Sequence, residues 1–259
     1  MTEQSQAQQH PVVLITGATS GFGLATAKKF AQHGYPLIIT GRREERLQAL
    51  SAELSEFTEV FYSVLDVRDS EAVIGFVEQL PERFKQVGIL VNNAGLALGA
   101  EPADKAALSD WHTMIDTNVT GLVNVTHSLL PILRAQASAS IINLASIAAN
   151  WAYPGSHVYG ASKAFVAQFS RNLRSDFAGT GVRVTSLEPG LAESEFSLVR
   201  FKGDQEKYDQ IYKGASAIQP EDIANIIFWI AEQPAHININ SLEVMPTSQA
   251  WDNFKIIKQ

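Results

Sequence analysis

The sequence predicts a single-domain α/β fold, a doubly wound seven-stranded parallel sheet with helices on both faces. Three observations predict it. Short apolar runs alternate with stretches of helical spacing along nearly the whole chain. The runs are apolar throughout rather than at every second residue, as strands covered on both faces are. The 259 residues, 46% of them hydrophobic, suffice for one large core, and no linker, repeat or low-complexity block divides them.

The elements follow in order. Residues 12–16 (VVLIT) read as a buried strand closed by Gly17. Residues 21–33 show helical spacing, with Phe22, Ala25, Phe30 and Ala31 as the apolar positions. Strands at 36–40, 60–65 and 88–91 are separated by helices over 44–54, where Leu47, Leu50 and Leu54 share a face, and over 71–80. A long helix over 109–134, a strand at 140–144, a helix over 158–177 and a strand at 182–187 continue the alternation. Pro220 suits the first turn of a helix reaching 232, and a strand at 241–245 closes the series. Residues 191–217 break the rhythm with two short helical pieces, as a lid beside a site would. Residues 1–10 are polar and Gln-rich, and are expected to be a flexible tail ahead of a domain at 11–259. They lack the basic and apolar succession of a signal peptide.

Composition removes several function classes. The chain has no cysteine, which excludes disulfides, thiolate nucleophiles and Cys-based zinc sites. Its six histidines show no ligand spacing, so no catalytic metal is expected. A net charge of −7 disfavours nucleic acid and anionic membrane surfaces as partners. No apolar run approaches the roughly 20 residues that span a bilayer. A small-molecule substrate and a cytoplasmic location are the expectation.

Thr16-Gly17-Ala18-Thr19-Ser20-Gly21-Phe22-Gly23 lies between the first strand and the first helix. Gly17 permits a tight turn, Gly21 lets backbone approach a pyrophosphate, and Gly23 lets helix and strand pack closely. The helix N-terminus then offers free N–H groups to phosphates. The second strand ends Thr40-Gly41-Arg42-Arg43 without the acid that would hold a ribose 2′-hydroxyl. A guanidinium matches a phosphate instead, so Arg42, assisted by Arg43, is the candidate for the 2′-phosphate of NADP(H).

Tyr159 and Lys163 stand four apart on a helix, one turn from each other on one face. An unperturbed phenol titrates near pH 10, too high for efficient base catalysis at neutral pH. A nearby ammonium and an oxidised nicotinamide would favour phenolate; a shift of about two to three units needs roughly 3–4 kcal/mol. Lys163 is also placed to hydrogen-bond the nicotinamide ribose. Ser146 ends the fifth strand, where active residues of open parallel sheets gather, and can hydrogen-bond an oxygen as negative charge develops.

The T-G-x-x-x-G-x-G turn, the Asn92-Asn93-Ala94-Gly95 segment and the Asn118, Ser146, Tyr159, Lys163 set resemble the short-chain dehydrogenase/reductase family, from residue 12 to about 245. The resemblance implies a Rossmann fold and catalysis by that tetrad, with Asn118 on a local helix distortion holding a water that relays protons to Lys163. It implies that Asp66, followed by Val67, holds the adenine amino group. Asn93, Ala94 and Gly95 would line the cofactor cleft. Pro189 and Gly190 would lead into a loop over the nicotinamide, with the hydroxyl of Ser194 on the carboxamide or pyrophosphate. Ala192 stands where many members have Val. Members of this type are usually homotetramers with two long helices forming a flat face.

Residues 92–102, 115–118, 158–165, 188–201 and 234–246 resemble the NADP-dependent 3-hydroxy acid dehydrogenase branch, which includes serine and L-allo-threonine dehydrogenases and malonic semialdehyde reductases. That branch implies a substrate carboxylate, with Arg200 as its candidate partner, Glu101 as a candidate for an amino group, and Trp151 and Tyr153 as pocket walls. Two other readings stand beside it. One is a carbonyl reductase for neutral ketones or for a sulfonate-bearing aldehyde. The other is a non-catalytic NADP-binding regulatory protein, although such relatives typically lose the Tyr or Lys retained here.

Overall fold

Each apolar run becomes a strand because its residues have nowhere else to bury both faces. In the computed structural model, which describes residues 10–251, these are β1 (Val12–Ile15), β2 (Leu37–Gly41), β3 (Val60–Val64), β4 (Val87–Asn92), β5 (Ala139–Leu144), β6 (Val182–Pro189) and β7 (Ser241–Val244). All pairings are parallel, in the order β3-β2-β1-β4-β5-β6-β7. The inner strands are buried along their whole length, while the edge strands β3 and β7 are only partly covered. The expected seven-stranded doubly wound sheet is the one observed. Nine of the residues expected in an N-terminal tail, 1–9, and the last eight of the chain, 252–259, lie outside the described residues.

The helices α1 (Gly21–Gln32), α2 (Glu44–Leu54), α3 (Ser70–Glu78), α4 (Leu108–Ile115), α5 (Gly121–Ala135), α6 (His157–Asp176), α7 (Glu195–Arg200), α8 (Gln205–Tyr212) and α9 (Pro220–Ala231) cover the sheet. One core joins the sheet to α1, α2 and α9 through Phe30, Leu47, Leu54, Ile223 and Ile227. The other joins the opposite face to α3, α5 and α6 through Val73, Leu129, Leu133 and Leu173. Phe30 meets Phe228 edge-on at 5.2 Å, locking α1 to α9.

Element ends shift by one or two residues from the expected bounds, for local reasons. Asp69 accepts from the Ala72 N–H at 3.0 Å and starts α3, so the cap does not require Asp66. The long helix over 109–134 contains one π-helical turn, Asp116–Thr120, between α4 and α5. That is the local distortion expected at Asn118. Residues 191–217 carry the two short helices α7 and α8, anchored by a parallel bridge between Ala192 and Ile218. Among the described residues, no helix is long and apolar enough to cross a membrane.

Candidate active site

The strand order reverses between β1 and β4, so the connections leaving them diverge to opposite faces and a crevice opens at their carboxyl ends. It holds a cavity of about 320 Å³, of a size that suits a small-molecule site. The Gly-rich turn, Arg42, Arg43, Asp66 and Val67 line one end, and Ser146, Tyr159 and Lys163 the other.

Two side chains stitch the crevice. Asn93 Nδ2 donates to the Thr16 carbonyl at 2.9 Å and to the Gly17 carbonyl at 3.1 Å. Thr16 Oγ1 in turn accepts from the Asn93 and Ala94 N–H groups at 3.1 and 3.0 Å. A Cβ on Gly23 would stand 2.4 Å from the Gly17 carbonyl oxygen and 2.5 Å from Asn93 Nδ2. Only glycine lets α1 approach this closely. Gly17 and Gly21 adopt φ of +67° and +51°, the left-handed region that L side chains rarely enter. Ser20, the N-cap of α1, makes no side-chain cap, so the first-turn N–H groups are left to an anion. This uncapped, glycine-lined cradle fits a pyrophosphate.

The two arginines divide. Arg43 is engaged at every nitrogen: Nε and Nη2 donate to Thr19 Oγ1 at 3.0 and 2.7 Å, Nη2 to Ser20 Oγ at 2.8 Å, and Nη1 to Glu195 at 3.0 Å. Arg42 makes no hydrogen bond among the described residues and borders the cavity. Asp66 is clasped by Arg68, whose hydrogen bonds hold its carboxyl below the usual carboxylate range.

At the other end, Ser146 Oγ accepts from the Ala148 N–H at 3.1 Å and donates to the Pro189 carbonyl at 3.4 Å. Helix α6 presents Tyr159 and Lys163, both buried. Lys163 Nζ donates to the Leu144 carbonyl at 2.7 Å and lies 5.9 Å from the centre of the Tyr159 ring. Asn118 grips Leu96 with both ends of its amide, accepting from its N–H and donating to its carbonyl, each at 2.8 Å. It also donates to Ser162 Oγ at 3.0 Å, between the tyrosine and the lysine. Its side chain is thus committed to positioning. In the π turn the Gly121 N–H donates to the Asp116 carbonyl, five residues back rather than four.

Burial dominates the electrostatics. It pushes the Tyr159 phenol above its ordinary value, Tyr153 adds to this, and the Ser146 hydroxyl and the Arg200 guanidinium pull it back. It also pushes the Lys163 ammonium down to about 8. Lys163 is not among the groups that shift the phenol here. The charge acting on the phenol in the unliganded protein is Arg200, 5.9 Å from the Tyr159 ring centre.

The residues expected at the substrate separate into two groups. Arg200 Nη1 donates to the Tyr153 hydroxyl at 3.1 Å, and Tyr153 packs in the cluster around Tyr159. None of the four lines the cavity itself; Arg200 and Tyr153 stand behind Tyr159, whereas Glu101 and Trp151 turn away from it. The Glu101 carboxylate turns back on its own loop, where its own N–H and that of Ala100 hold it below the usual range. Trp151 Nε1 donates to Glu243 at 2.9 Å, and its ring leans on Trp251. Pro189, Gly190 and Ser194 border the cavity beneath α7, where Ser194 Oγ caps the helix by accepting from the Phe196 N–H. Sequence reasoning missed Thr16 as an acceptor, Ser162, Phe196 (5.7 Å from Tyr159 between ring centres) and Glu195. Ser162 was in view inside Tyr-x-x-Ser-Lys; Glu195 carried no signal beyond an acid in a first helical turn.

A testable consequence concerns Lys163. Its folded-state pKa lies below the unfolded value, so the unfolded chain binds more protons between about pH 8 and 10.5, and stability rises with pH across that window. Relative to Lys163→Met, the unliganded protein should gain up to about 3 kcal/mol from pH 8 to 10.5. Denaturant unfolding of both proteins across that range tests it; parallel curves would show that the ammonium is not strained by burial.

Comparison with known proteins agrees with this site. The short chain dehydrogenase family model matches residues 11–204. Sulfoacetaldehyde reductase 2 of Chromohalobacter salexigens is 59% identical over 246 residues, covering 95% of this chain and 98% of that protein. Serine 3-dehydrogenase of Agrobacterium fabrum is 54% identical over 248 residues, covering 95% and 98%. A solved serine dehydrogenase, in its closed form complexed with NADP+, matches at a TM-score of 0.90 and 49% identity, over 96% of this chain and 100% of that one. A Gly-rich turn stitched to β4, and a Ser, Tyr and Lys gathered from β5 and α6, therefore accompany a family match over most of the chain: the protein belongs to the short-chain dehydrogenase family.

Proposed function

We propose that the protein is an NADP(H)-dependent oxidoreductase that interconverts a small 3-hydroxy acid and its 3-oxo counterpart, of the serine, allo-threonine or 3-hydroxypropionate class. The observation that carries the substrate class is Arg200. Its guanidinium is held over the rings of both Tyr153 and Tyr159, so an anionic group two or three atoms from the reacting carbon can pair with it while the oxygen meets Tyr159. The names of the serine dehydrogenase relatives support this reading. A second reading, a sulfonate-bearing aldehyde as substrate, is favoured by the likeness to sulfoacetaldehyde reductases and uses the same arginine.

The residues take these roles. Bound NADP(H) supplies or accepts the hydride and, when oxidised, adds a positive charge to the site. Ser146 and Tyr159 hold the carbonyl oxygen, and Tyr159, kept protonated by burial, donates the proton in reduction. Lys163, poised near neutrality, and a water at the Asn118 turn replenish that proton. Arg42, with Arg43 beside it, pairs with the 2′-phosphate, and Asp66 and Val67 border the adenine. Gly17, Thr19, Ser20, Gly21, Phe22 and Gly23 form the pyrophosphate cradle. Asn93, Ala94, Gly95, Pro189, Gly190 and Ser194 frame the nicotinamide, beneath a lid at 191–217. We read the enzyme as a cytoplasmic homotetramer that covers exposed Ile115 on α4 and Phe165 on α6.

Four measurements test this. Initial rates with serine, allo-threonine, 3-hydroxypropionate, sulfonated and neutral alcohols should favour the anions. Arg200→Met should raise KM for them about 10- to 100-fold, the loss of one charge-assisted hydrogen bond, while sparing neutral alcohols; equal loss on both would remove Arg200 from the substrate. Arg42→Gln should raise KM for NADPH by about the same factor and leave NADH unaffected. Light scattering should return the mass of a tetramer, and Phe165→Glu should dissociate it.

A further inference from the structure

The lid helix α7 is fastened at both ends. At its C-terminus, the Gly99 N–H donates to the Arg200 carbonyl at 2.9 Å and Arg200 Nε donates to the Gly99 carbonyl at 3.2 Å. At its N-terminus, Glu195 bridges two arginines of the α2 segment: Arg43 Nη1 at 3.0 Å, and Arg46 Nη1 at 2.9 and 3.0 Å from its two oxygens. Glu195, Phe196 and Val199 of this helix, with Arg43, line the cavity.

We propose that Glu195 is a positioning residue that straps the lid across the cofactor cleft, so that release of the dinucleotide requires the Glu195 contacts with Arg43 and Arg46 to break first. The proposal rests on the reading above that Arg42 and Arg43 mark the 2′-phosphate end. Geometry assigns the two arginines different tasks there. Arg43 spends Nε and Nη2 on Thr19 and Ser20, inside the Gly-rich turn, and its remaining nitrogen on Glu195. It therefore ties the lid to the phosphate-binding turn itself, and leaves Arg42 to meet the phosphate. The packing is close on the same side: a Cβ on Gly21 would stand 3.4 Å from Ser194 Cβ, one residue before the strap. Partial burial opposes ionisation of Glu195, but the Arg43 and Arg46 hydrogen bonds outweigh it and hold the carboxyl below its ordinary range. The strap stays charged at neutral pH.

The strap is also weak enough to open. Arg43, Arg46 and Glu195 are 43%, 49% and 44% exposed. Solvent and salt therefore screen the pairs, and their loss should change rates several-fold rather than abolish binding. Because Glu195 bonds the protein and not the 2′-phosphate, the effect is common to both nicotinamide cofactors.

The experiment is displacement of NADPH, and separately of NADH, from the full-length enzyme by stopped-flow fluorescence at low and high salt. Glu195→Gln should speed release of both cofactors by about three- to tenfold. Wild-type release should approach the variant's as salt rises, while the variant should respond little. Arg46→Gln should mimic it, and the double variant should add nothing further. Unchanged release in Glu195→Gln overturns the proposal. So does tighter binding of NADPH alone, which would make Glu195 a competitor of the phosphate. A failed 2′-phosphate reading looks different, with Arg42→Gln weakening NADPH and NADH alike.

Discussion

The stitch between Thr16 and Asn93 joins the ends of β1 and β4, the two strands at which the sheet reverses its order. Past the last ladder bond, the carbonyls of Thr16 and Gly17 have no strand partner, and buried backbone acceptors must find donors elsewhere. Asn93 Nδ2 supplies both bonds from a residue 77 positions away. That one amide then dictates its surroundings. It stands 2.5 Å from where a Cβ on Gly23 would be, so that residue must be glycine, while the φ of +67° at Gly17 favours glycine there. Next door, Asn92 carries the tie into the sheet, donating to Thr126 on α5 and to Asn143 on β5. Strand β5 leads to Ser146, so the cradle and the catalytic end are held in one register.

A second constraint is burial of charge. The protein encloses a lysine and a tyrosine together, and the ammonium donates to the Leu144 carbonyl. Low polarity penalises both ammonium and phenolate, moving each group toward its neutral form. Burial thus favours a neutral phenol and brings the ammonium down to about 8, nearer to neutral pH than a free lysine. The π turn serves the same end: a helix that forgoes regularity at Asp116–Thr120 aims Asn118 at Leu96 and Ser162, bracketing the tyrosine and lysine from behind.

Helix α7 shows how a small element reaches both ends of a cleft. Helix α7 spans six residues, with Glu195 at one end and Arg200 at the other. One touches the arginines beside the phosphate-binding turn, and the other the tyrosines of the catalytic end. Phe196, between them, closes over the Tyr159 ring. The helix thus carries opposite charges at its two termini, one facing each end of the cavity's surroundings.

Much of this was legible in the sequence. Apolar runs without alternation specify buried parallel strands, because hydrophobic periodicity is a local property. Glycines at fixed spacing specify a phosphate turn, and the Tyr-Lys interval specifies a shared helical face, because backbone geometry sets both. Asn118 could be expected on a distorted turn from the family pattern. Contacts between residues far apart in sequence were not legible. Nothing local says that Glu101 folds back on Ala100, that Trp151 turns to Glu243, or that Arg43 is occupied by Thr19, Ser20 and Glu195 while Arg42 is not. Nor does spacing say that burial, with Arg200 against it, governs the Tyr159 phenol. By itself the sequence determined the fold and the glycine cradle and singled out the candidate reacting groups, since these follow from short-range pattern and side-chain chemistry. Only the tertiary structure decided which charge faces which, since desolvation and pairing depend on neighbours that the chain brings together from 47 to 152 residues apart.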